Sequence, residues 1–405
     1  MDLYVLIVSD HNLAELRACL YFKPRYIWLV ASQRMQEPAK RLLKVLQAQC
    51  PSAQLDILRA MPDIPFEGNT LEETDAWIKQ VFAPKINQFN NAIQQQCVLN
   101  MTGGTKTLSY LLTRAYEWLE IHYQPFGNKV PLERFCLSAQ GLNILPNIDL
   151  ANVTISPKDN ALLYMDFVRS HTPNPIRKHS NSLTVALSRL EQNQEWITLT
   201  KALEQGWSKN ESGHFVSVAI DADNTSTLLA QIKALNGLFN NSQHPQPLTL
   251  QNNTLSMPSF SHKPYEKWRK WVSGDWYEQL IEHWLTTEYH IKPEYILTNV
   301  QLSNKTDPQG QESDTLLQFN NKLYVIEIKA DIPKSKKLAE IESQLTSLSG
   351  QLGKVENVLI VSPMLKDRYS NEQWLNFELR CKNKNVKLVV VATKQDLGVI
   401  LNGHH

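Results

Sequence analysis

Short, nearly continuous apolar runs alternate with amphipathic stretches through the first third of the chain. Leu3 to Val8, Tyr26 to Ala31, Ala53 to Leu58 and Cys97 to Met101 predict buried strands. Between them, apolar residues recur at helical spacing: Leu13, Leu16 and Leu20 in a helix ending near Tyr21, then a helix over Glu37 to Gln49. Leu71 to about Phe89 is mostly helical, with a break expected at Pro84. Lys106 to Leu119 carries Leu108, Leu111, Leu112 and Tyr116 on one face. Strands alternating with helices predict a parallel, doubly wound sheet. Phe135 to Leu137 and Leu142 to Leu145 close it as a hairpin turning at Gln140-Gly141.

The middle, residues 151–263, has a weaker pattern. Asn160 to Ser170, Leu183 to Gln192, Glu195 to Gly206 and Thr225 to Phe239 predict helices, Phe215 to Ile220 a strand, and Leu248 to Met257 a hairpin around Asn252-Asn253. Helices followed by a β-pair suit a small winged-helix-like connector. Tyr265 to Trp271 is basic and aromatic, as a helix docking its tryptophans in a domain interface would be.

The last third reads as a helix from Gly274 to Thr286, a strand from Tyr295 to Val300, and a hairpin from Glu312 to Lys329 turning at Asn320-Asn321. A helix follows over Ser335 to Leu348, a strand over Asn357 to Ser362, a helix over Asn371 to Lys382 and a strand over Val386 to Val391. The second hairpin strand is almost wholly apolar, yet Glu327 and Lys329 interrupt it. Two residues apart, they share a face, and Asp314 of the partner strand lies beside them. Carboxylates and an ammonium in a buried hairpin are costly unless a cation and a polar substrate complete the group. The pattern Asp-x12-Glu-x-Lys fits oxygen ligation of Mg²⁺ or Mn²⁺, with the lysine helping to activate water and offset phosphate charge. A cross-strand ion pair at a sheet end is the plainer alternative.

A length of 405 residues predicts two or three domains. The formal net charge of +1 rules out a global basic field, so any nucleic-acid binding must use local patches. Five scattered cysteines without a CxxC pair argue against a zinc ribbon or disulfide framework and fit a reducing cytoplasm. Without a signal-like start or a long apolar run, no membrane span is expected.

Doubly wound sheets bind ligands at the carboxyl ends of their strands. Ser9-Asp10-His11-Asn12 and Asn100-Met101-Thr102-Gly103-Gly104-Thr105-Lys106-Thr107 occupy such ends. The glycines admit a close approach of backbone to ligand, the threonines add hydroxyls, and Lys106 and the following helix N-terminus favour an anion. The spacing matches neither the dinucleotide-binding glycine pattern nor the phosphate-loop ATPase motif.

Met101-Thr102-Gly103-Gly104-Thr105-Lys106, with the exit Val8-Ser9-Asp10, resembles the ligand motif of CRISPR-associated Rossmann-fold (CARF) sensor domains. That resemblance covers residues 1–150. It implies a homodimer binding a cyclic oligoadenylate across its two-fold axis, with Ser9, Asp10, Thr102, Gly103, Gly104, Thr105, Lys106 and Thr107 lining the site; the motif does not set the ring size, though this sub-pattern resembles cyclic tetra-adenylate sensors. Residues 264–403 resemble the PD-(D/E)xK, restriction-endonuclease-like nuclease core. Gly274-x-Trp276-x-Glu278 is similar to its first-helix acidic motif, and Asp314, Glu327 and Lys329 to its strand motif. Glu312-Ser313 stands where the family has a proline before the aspartate. Gln344 or Gln351 matches an accessory glutamine.

The fold class implied is α/β, a Rossmann-like CARF domain, a small helical or winged-helix-like middle and a restriction-endonuclease-like domain. The pair resembles the ancillary effector nucleases of type III CRISPR defence. The resemblance implies Glu278, Asp314 and Glu327 as metal ligands and Lys329 as the fourth catalytic residue, acting on RNA, single-stranded DNA or duplex DNA. A non-catalytic, ligand-gated transcription regulator or nucleic-acid-binding sensor is the alternative from another class.

Overall fold

A computed structural model describes residues 2–61, 63–64, 66–93, 96–125, 131–171, 185–187, 189–190, 208–209, 215–219, 225–239, 249–252, 254–260, 274–305, 307–331 and 338–401. The helix expected over Glu195 to Gly206 and the aromatic-basic stretch Tyr265 to Trp271 lie outside the described residues, as does part of Leu183 to Gln192.

The N-terminal sheet has seven strands in the order β3-β2-β1-β4-β5-β6-β7. These are β1 (Leu3–Ile7), β2 (Tyr26–Val30), β3 (Gln54–Leu58), β4 (Cys97–Asn100), β5 (Glu120–Tyr123), β6 (Leu132–Ser138) and β7 (Gly141–Ile148). The first five are parallel, and the last two close the sheet as an antiparallel hairpin. Every β1 residue is buried because both faces are covered. Leu3, Val5 and Ile7 pack into one layer, and Tyr4 and Leu6 into the other. Helices α1 (Leu13–Phe22), α2 (Gln36–Gln49), α3 (Leu71–Trp77), α4 (Ala83–Ile93) and α5 (Lys106–Arg114) connect the parallel strands.

Two local expectations are corrected. The chain does not break at Pro84; it stays helical through a π-helical turn at Ile78–Phe82. A wider turn relieves the clash between a proline ring and the preceding turn's carbonyl. The helix opened by Lys106 ends at Arg114, and β5 follows, a strand too short and too polar at Glu120 and His122 to stand out.

In the middle, α6 (Pro157–Leu162) is followed by β8 (Phe167–His171), where one long helix was expected. Pairing with a neighbouring sheet overrides the helical spacing of this stretch, because β8 takes the open edge of the C-terminal sheet. Strands β9 (Ser208–Lys209), β10 (Phe215–Ala219), β11 (Thr249–Gln251) and β12 (Thr254–Phe260) form a four-stranded antiparallel sheet, with α7 (Thr225–Phe239) between β10 and β11 in the chain.

The C-terminal sheet has the order β17-β16-β15-β14-β13-β8. Its later elements are α8 (Trp276–Thr287), β13 (Ile296–Asn304), β14 (Asp307–Phe319), β15 (Lys322–Lys329), α9 (Leu338–Gln351), β16 (Glu356–Val361), α10 (Pro363–Asp367), α11 (Asn371–Asn383) and β17 (Val386–Val390). Strands β13, β14 and β15 are antiparallel, and β15, β16 and β17 are parallel. Asn320 and Asn321, at φ 46° and 61°, make the hairpin turn, as expected of two adjacent asparagines. Leu323 and Val325 face one core layer, and Tyr324, Ile326 and Ile328 the other. On the second layer lie Trp276, Tyr277, Leu280, Ile281 and Trp284 of α8. The Tyr277 hydroxyl is 2.7 Å from the Val391 carbonyl and 3.0 Å from that of Val361, which fixes α8 over the strand ends.

The two large sheets are tied by polar contacts through residues 149–166. Asn160 Nδ2 donates to Gln318 Oε1 at 3.1 Å, and Asn321 Nδ2 to the Ala151 carbonyl at 2.8 Å. Asp166 bonds Arg41 Nε at 3.0 Å and accepts the Lys305 N–H at 2.9 Å. Arg17 of α1 donates to the Asn321 carbonyl at 3.0 Å, joining this N-terminal helix to the tip of the β14–β15 hairpin.

Glu15 of α1 is fully buried, and neither carboxyl oxygen has a hydrogen-bond partner. Burial pushes its pKa to about 8 from 4.5. The folded chain therefore holds a proton that the unfolded chain releases, and stability falls as pH rises from 4.5 to about 8. Glu15→Gln removes this burden. Urea unfolding is expected to show the variant more stable by a few kcal/mol at pH 8, with the gain fading towards pH 5. A pH-independent difference would show that Glu15 does not carry it.

Candidate functional site

Strand β14 begins well before the expected hairpin, at Asp307, so Asp314 lies inside it. Its ladder with β15 runs from Phe319↔Lys322 to Thr315↔Ile326. Beyond that point Asp314 Oδ2 accepts the Ile328 N–H at 2.7 Å, so a side chain takes the place of a ladder carbonyl. Lys329 Nζ lies 3.0 Å from the same oxygen and 2.7 Å from Glu327 Oε1. Glu327 is 6% exposed, so this pair of carboxylates shares one ammonium in a largely dehydrated place.

Helix α8 brings two more carboxyls. Glu278, in its first turn, and Glu282, one turn on, lie near enough to Asp314 to feel its charge. Burial, reinforced by Asp314, pushes each to about 8. Burial and then Asp314 also raise Glu327, against the pull of Lys329. For Lys329, burial acts downward, but Asp314 and Glu327 outweigh it and hold the ammonium above its ordinary value.

All donors in this group are carboxylate oxygens, the set suited to a hard dication, and three of them are destabilised as anions by burial. Their chemistry fits a divalent cation. Their present arrangement is closed on Lys329, and among the described residues no three acidic, histidine or cysteine side chains converge as a metal cage. Glu282 was missed from the sequence, although its spacing of four from Glu278 was a usable signal. Gln351 ends α9 exposed; the side chain of Gln344 lies outside the described ones.

The N-terminal loops behave differently from their sequence reading. A Cβ at Gly103 would stand 2.1 Å from the Ile7 carbonyl oxygen, and one at Gly104, at φ +79°, 2.2 Å from Ile7 Cγ2. The chain's own first strand already demands both glycines, whether or not a ligand is bound. Thr105 caps α5 by accepting the Leu108 N–H. Lys106 and Gly104 are exposed beside it, and Thr107 is half-buried. Asp10 is exposed and 3.6 Å from Arg34. Ser9 is pinched by Asn12, which accepts its N–H at 2.9 Å and donates to its carbonyl at 2.7 Å.

Of the expected ligand residues, Ser9 and Thr102 line a cavity of about 590 Å³. His11, Arg17 and Tyr164 line it too, as do Asn321 and Lys354 from the C-terminal domain. The remaining motif residues lie outside its lining. Arg17 had a sequence signal, being a cation set among the apolar positions Leu13, Leu16 and Leu20 of one helix. Lys354 had none.

A buried polar chain sets the Thr102 loop. Arg134 is bonded through two nitrogens to Glu120, and Glu120 Oε2 is 3.0 Å from His122 Nε2. Burial lowers the His122 pKa, so the ring is neutral, with Nε2 donating to Glu120 and Nδ1 accepting from the Tyr4 hydroxyl at 2.9 Å. Asn100 Nδ2 donates to that hydroxyl at 3.1 Å, and Asn100 Oδ1 accepts the Thr102 N–H at 3.0 Å. Thr102 Oγ1 accepts the Gln124 N–H at 3.0 Å. Each donor along this path finds one acceptor.

The whole arrangement is similar to known structures. Can2 from Sulfobacillus thermosulfidooxidans, solved in complex with cyclic tetra-adenylate, is 16% identical, with a TM-score of 0.64 over 98% of this chain and 96% of that one. Protein VC1899 from Vibrio cholerae is 17% identical, with a TM-score of 0.67 over the same shares. A type III CRISPR defence DNA nuclease activated by cyclic oligoadenylate is 14% identical, with a TM-score of 0.51 over 89% of this chain and 45% of that one. No family model matches the sequence, and no curated protein sequence does. At these identities the likeness shows the fold alone: a mixed α/β architecture built on two large mixed sheets.

Removing the Tyr4 hydroxyl leaves His122 Nδ1 and an Asn100 N–H unpaired in the interior. Tyr4→Phe is expected to cost about 1–3 kcal/mol in urea unfolding and to speed hydrogen exchange at the Thr102 amide. Unchanged stability and exchange would remove this chain as the support of the loop.

Proposed function

We propose that this chain is a nuclease activated by a cyclic oligoadenylate, cyclic tetra-adenylate in particular, and that it serves type III CRISPR antiviral defence. The observation that carries the reading is the Asp314–Lys329–Glu327 group, set at the end of a buried hairpin with Glu278 beside it. The shared fold with Can2, solved with its cyclic tetra-adenylate, supports the sensor half. No helix among the described residues is long and apolar enough to cross a membrane. The reading places the protein in the cytoplasm as a homodimer, one ring being held at the two-fold axis, since a symmetric ligand suits such an interface.

In the proposed site Glu278, Asp314 and Glu327 would hold Mg²⁺ or Mn²⁺. When bound, the ion supplies Lewis-acid polarisation of the phosphate and an acidified water. The protein's own residues do the rest. Lys329, kept cationic by its two carboxylate neighbours, donates hydrogen bonds and offsets charge that develops on the phosphate. Asp314 also fixes the strand end by its bond to the Ile328 N–H, so the site is set on rigid strands. On the sensor side, Ser9 and Thr102 face the cavity, while Asp10, Gly103, Gly104, Thr105, Lys106 and Thr107 complete the proposed ligand set from outside its lining. Single-stranded RNA or DNA and duplex DNA all present the phosphodiester this site would cut.

Glu327→Gln and Lys329→Met are expected to lower cutting of labelled single-stranded RNA, single-stranded DNA and supercoiled plasmid at least about 100-fold. Ring binding should be unchanged in both. Cutting at the wild-type rate in either variant would remove the catalytic assignment.

A further inference from the structure

Helix α11 is held firmly on one face and left uncovered on the other. Trp374, Phe377 and Cys381 are buried in the core layer beneath it. Buried Glu342 of α9 lies 3.5 Å from Arg380 and 3.3 Å from Lys384, just past the end of α11. Trp374 Nε1 donates to Glu378 at 2.6 Å. These charges are spent inside the chain.

The outer face keeps its own. Leu375 and Leu379 are 55% and 49% exposed. Glu372 and Lys382 flank them, both exposed, and neither is in an ion pair among the described residues. Spacings of three, four and three put the four side chains in one stripe, the a and d positions of a short heptad pattern. Water against such a leucine pair favours covering it with another apolar surface.

The stripe is self-complementary. Positions 372 and 382 are equidistant from Phe377, and so are 375 and 379. When two copies of α11 run antiparallel about a two-fold axis at Phe377, each Leu375 meets the partner subunit's Leu379, and each Glu372 meets the partner subunit's Lys382. That is the isologous pattern, in which one residue contacts a second and the second contacts the first. Parallel helices in register would set Glu372 against its own copy and Lys382 against its own, so the charges select the antiparallel arrangement.

We propose that the outer face of α11 is a contact between two copies of this chain, with the leucines interleaved and a Glu372–Lys382 pair closing each end. The helix of 13 residues is about 20 Å long, and one face of it falls short of the ~1,000 Å² a stable interface needs. The inference therefore rests on the homodimer of the reading above. Dimerisation elsewhere brings the two helices to a high effective concentration, and α11 then fixes how the two C-terminal sheets face each other.

The first test needs no substitution. A zero-length carbodiimide joins a carboxylate to an amine only where the two touch. Within one chain Glu372 and Lys382 stand about 15 Å apart along a helix, so a link between them forms only between copies. Mass spectrometry of the covalent dimer, made with and without cyclic tetra-adenylate, is expected to show that linked peptide. Glu372→Lys and Lys382→Glu, both on exposed side chains, each put like charges at both ends. Each is expected to raise the dimer dissociation constant about tenfold in sedimentation, and the double swap to bring it back to within about twofold of wild type. The double swap opposes the helix dipole at both ends, so its recovery would not come from a steadier helix. A covalent dimer without the 372–382 link, or single variants that dimerise as tightly as wild type, would overturn the inference and leave the homodimer standing. A wild-type chain that sediments as a monomer with and without the ring would overturn both.

Discussion

The ammonium of Lys329, 2.7 Å from Glu327 and 3.0 Å from Asp314, is the contact around which the C-terminal domain is arranged. One cation cannot balance Glu278, Glu282, Asp314 and Glu327 together. The imbalance is visible in carboxyls pushed upward by burial and by Asp314. Such a group is poor for stability, because breaking or burying charge costs more than the surviving pair returns. It is well suited to meeting a dication and a phosphate, each of which supplies what the protein lacks.

The hairpin that holds these charges also has a second end. From Asn321 to Lys329 is roughly 26 Å of extended chain. One end is a tight asparagine turn bonded to Arg17 and to Ala151; the other is the carboxylate group. Both faces between them are packed into core layers. A strand pair so confined transmits displacement along its length more readily than it bends, because close-packed interiors resist compression. This gives a direct mechanical path between the Arg17 contact and the Asp314–Lys329–Glu327 group.

Much of this was legible in the sequence where one periodicity dominates. Leu3 to Val8 and Leu323 to Ile328 read as buried strands because both faces are apolar, and Glu327 and Lys329 stand out against that background. Strand β5 was missed because Glu120 and His122 make it polar; they are spent on a buried network that only the fold assembles. Strand β8 reads as helix from local spacing because its pairing partner, β13, lies more than a hundred residues away. Gly103 and Gly104 stand out in the sequence, and Ile7 gives each a structural reason that only the fold reveals. Lys354 meets Arg17 across a cavity built from two domains, a proximity no spacing encodes.

The most direct measurement is cleavage by the wild-type protein of labelled single-stranded RNA, single-stranded DNA and supercoiled plasmid, with and without Mn²⁺ and with and without cyclic tetra-adenylate. The account predicts cutting of at least one substrate only when metal and ring are both present. Tight ring binding with no cutting of any substrate would contradict it and favour a non-catalytic regulator.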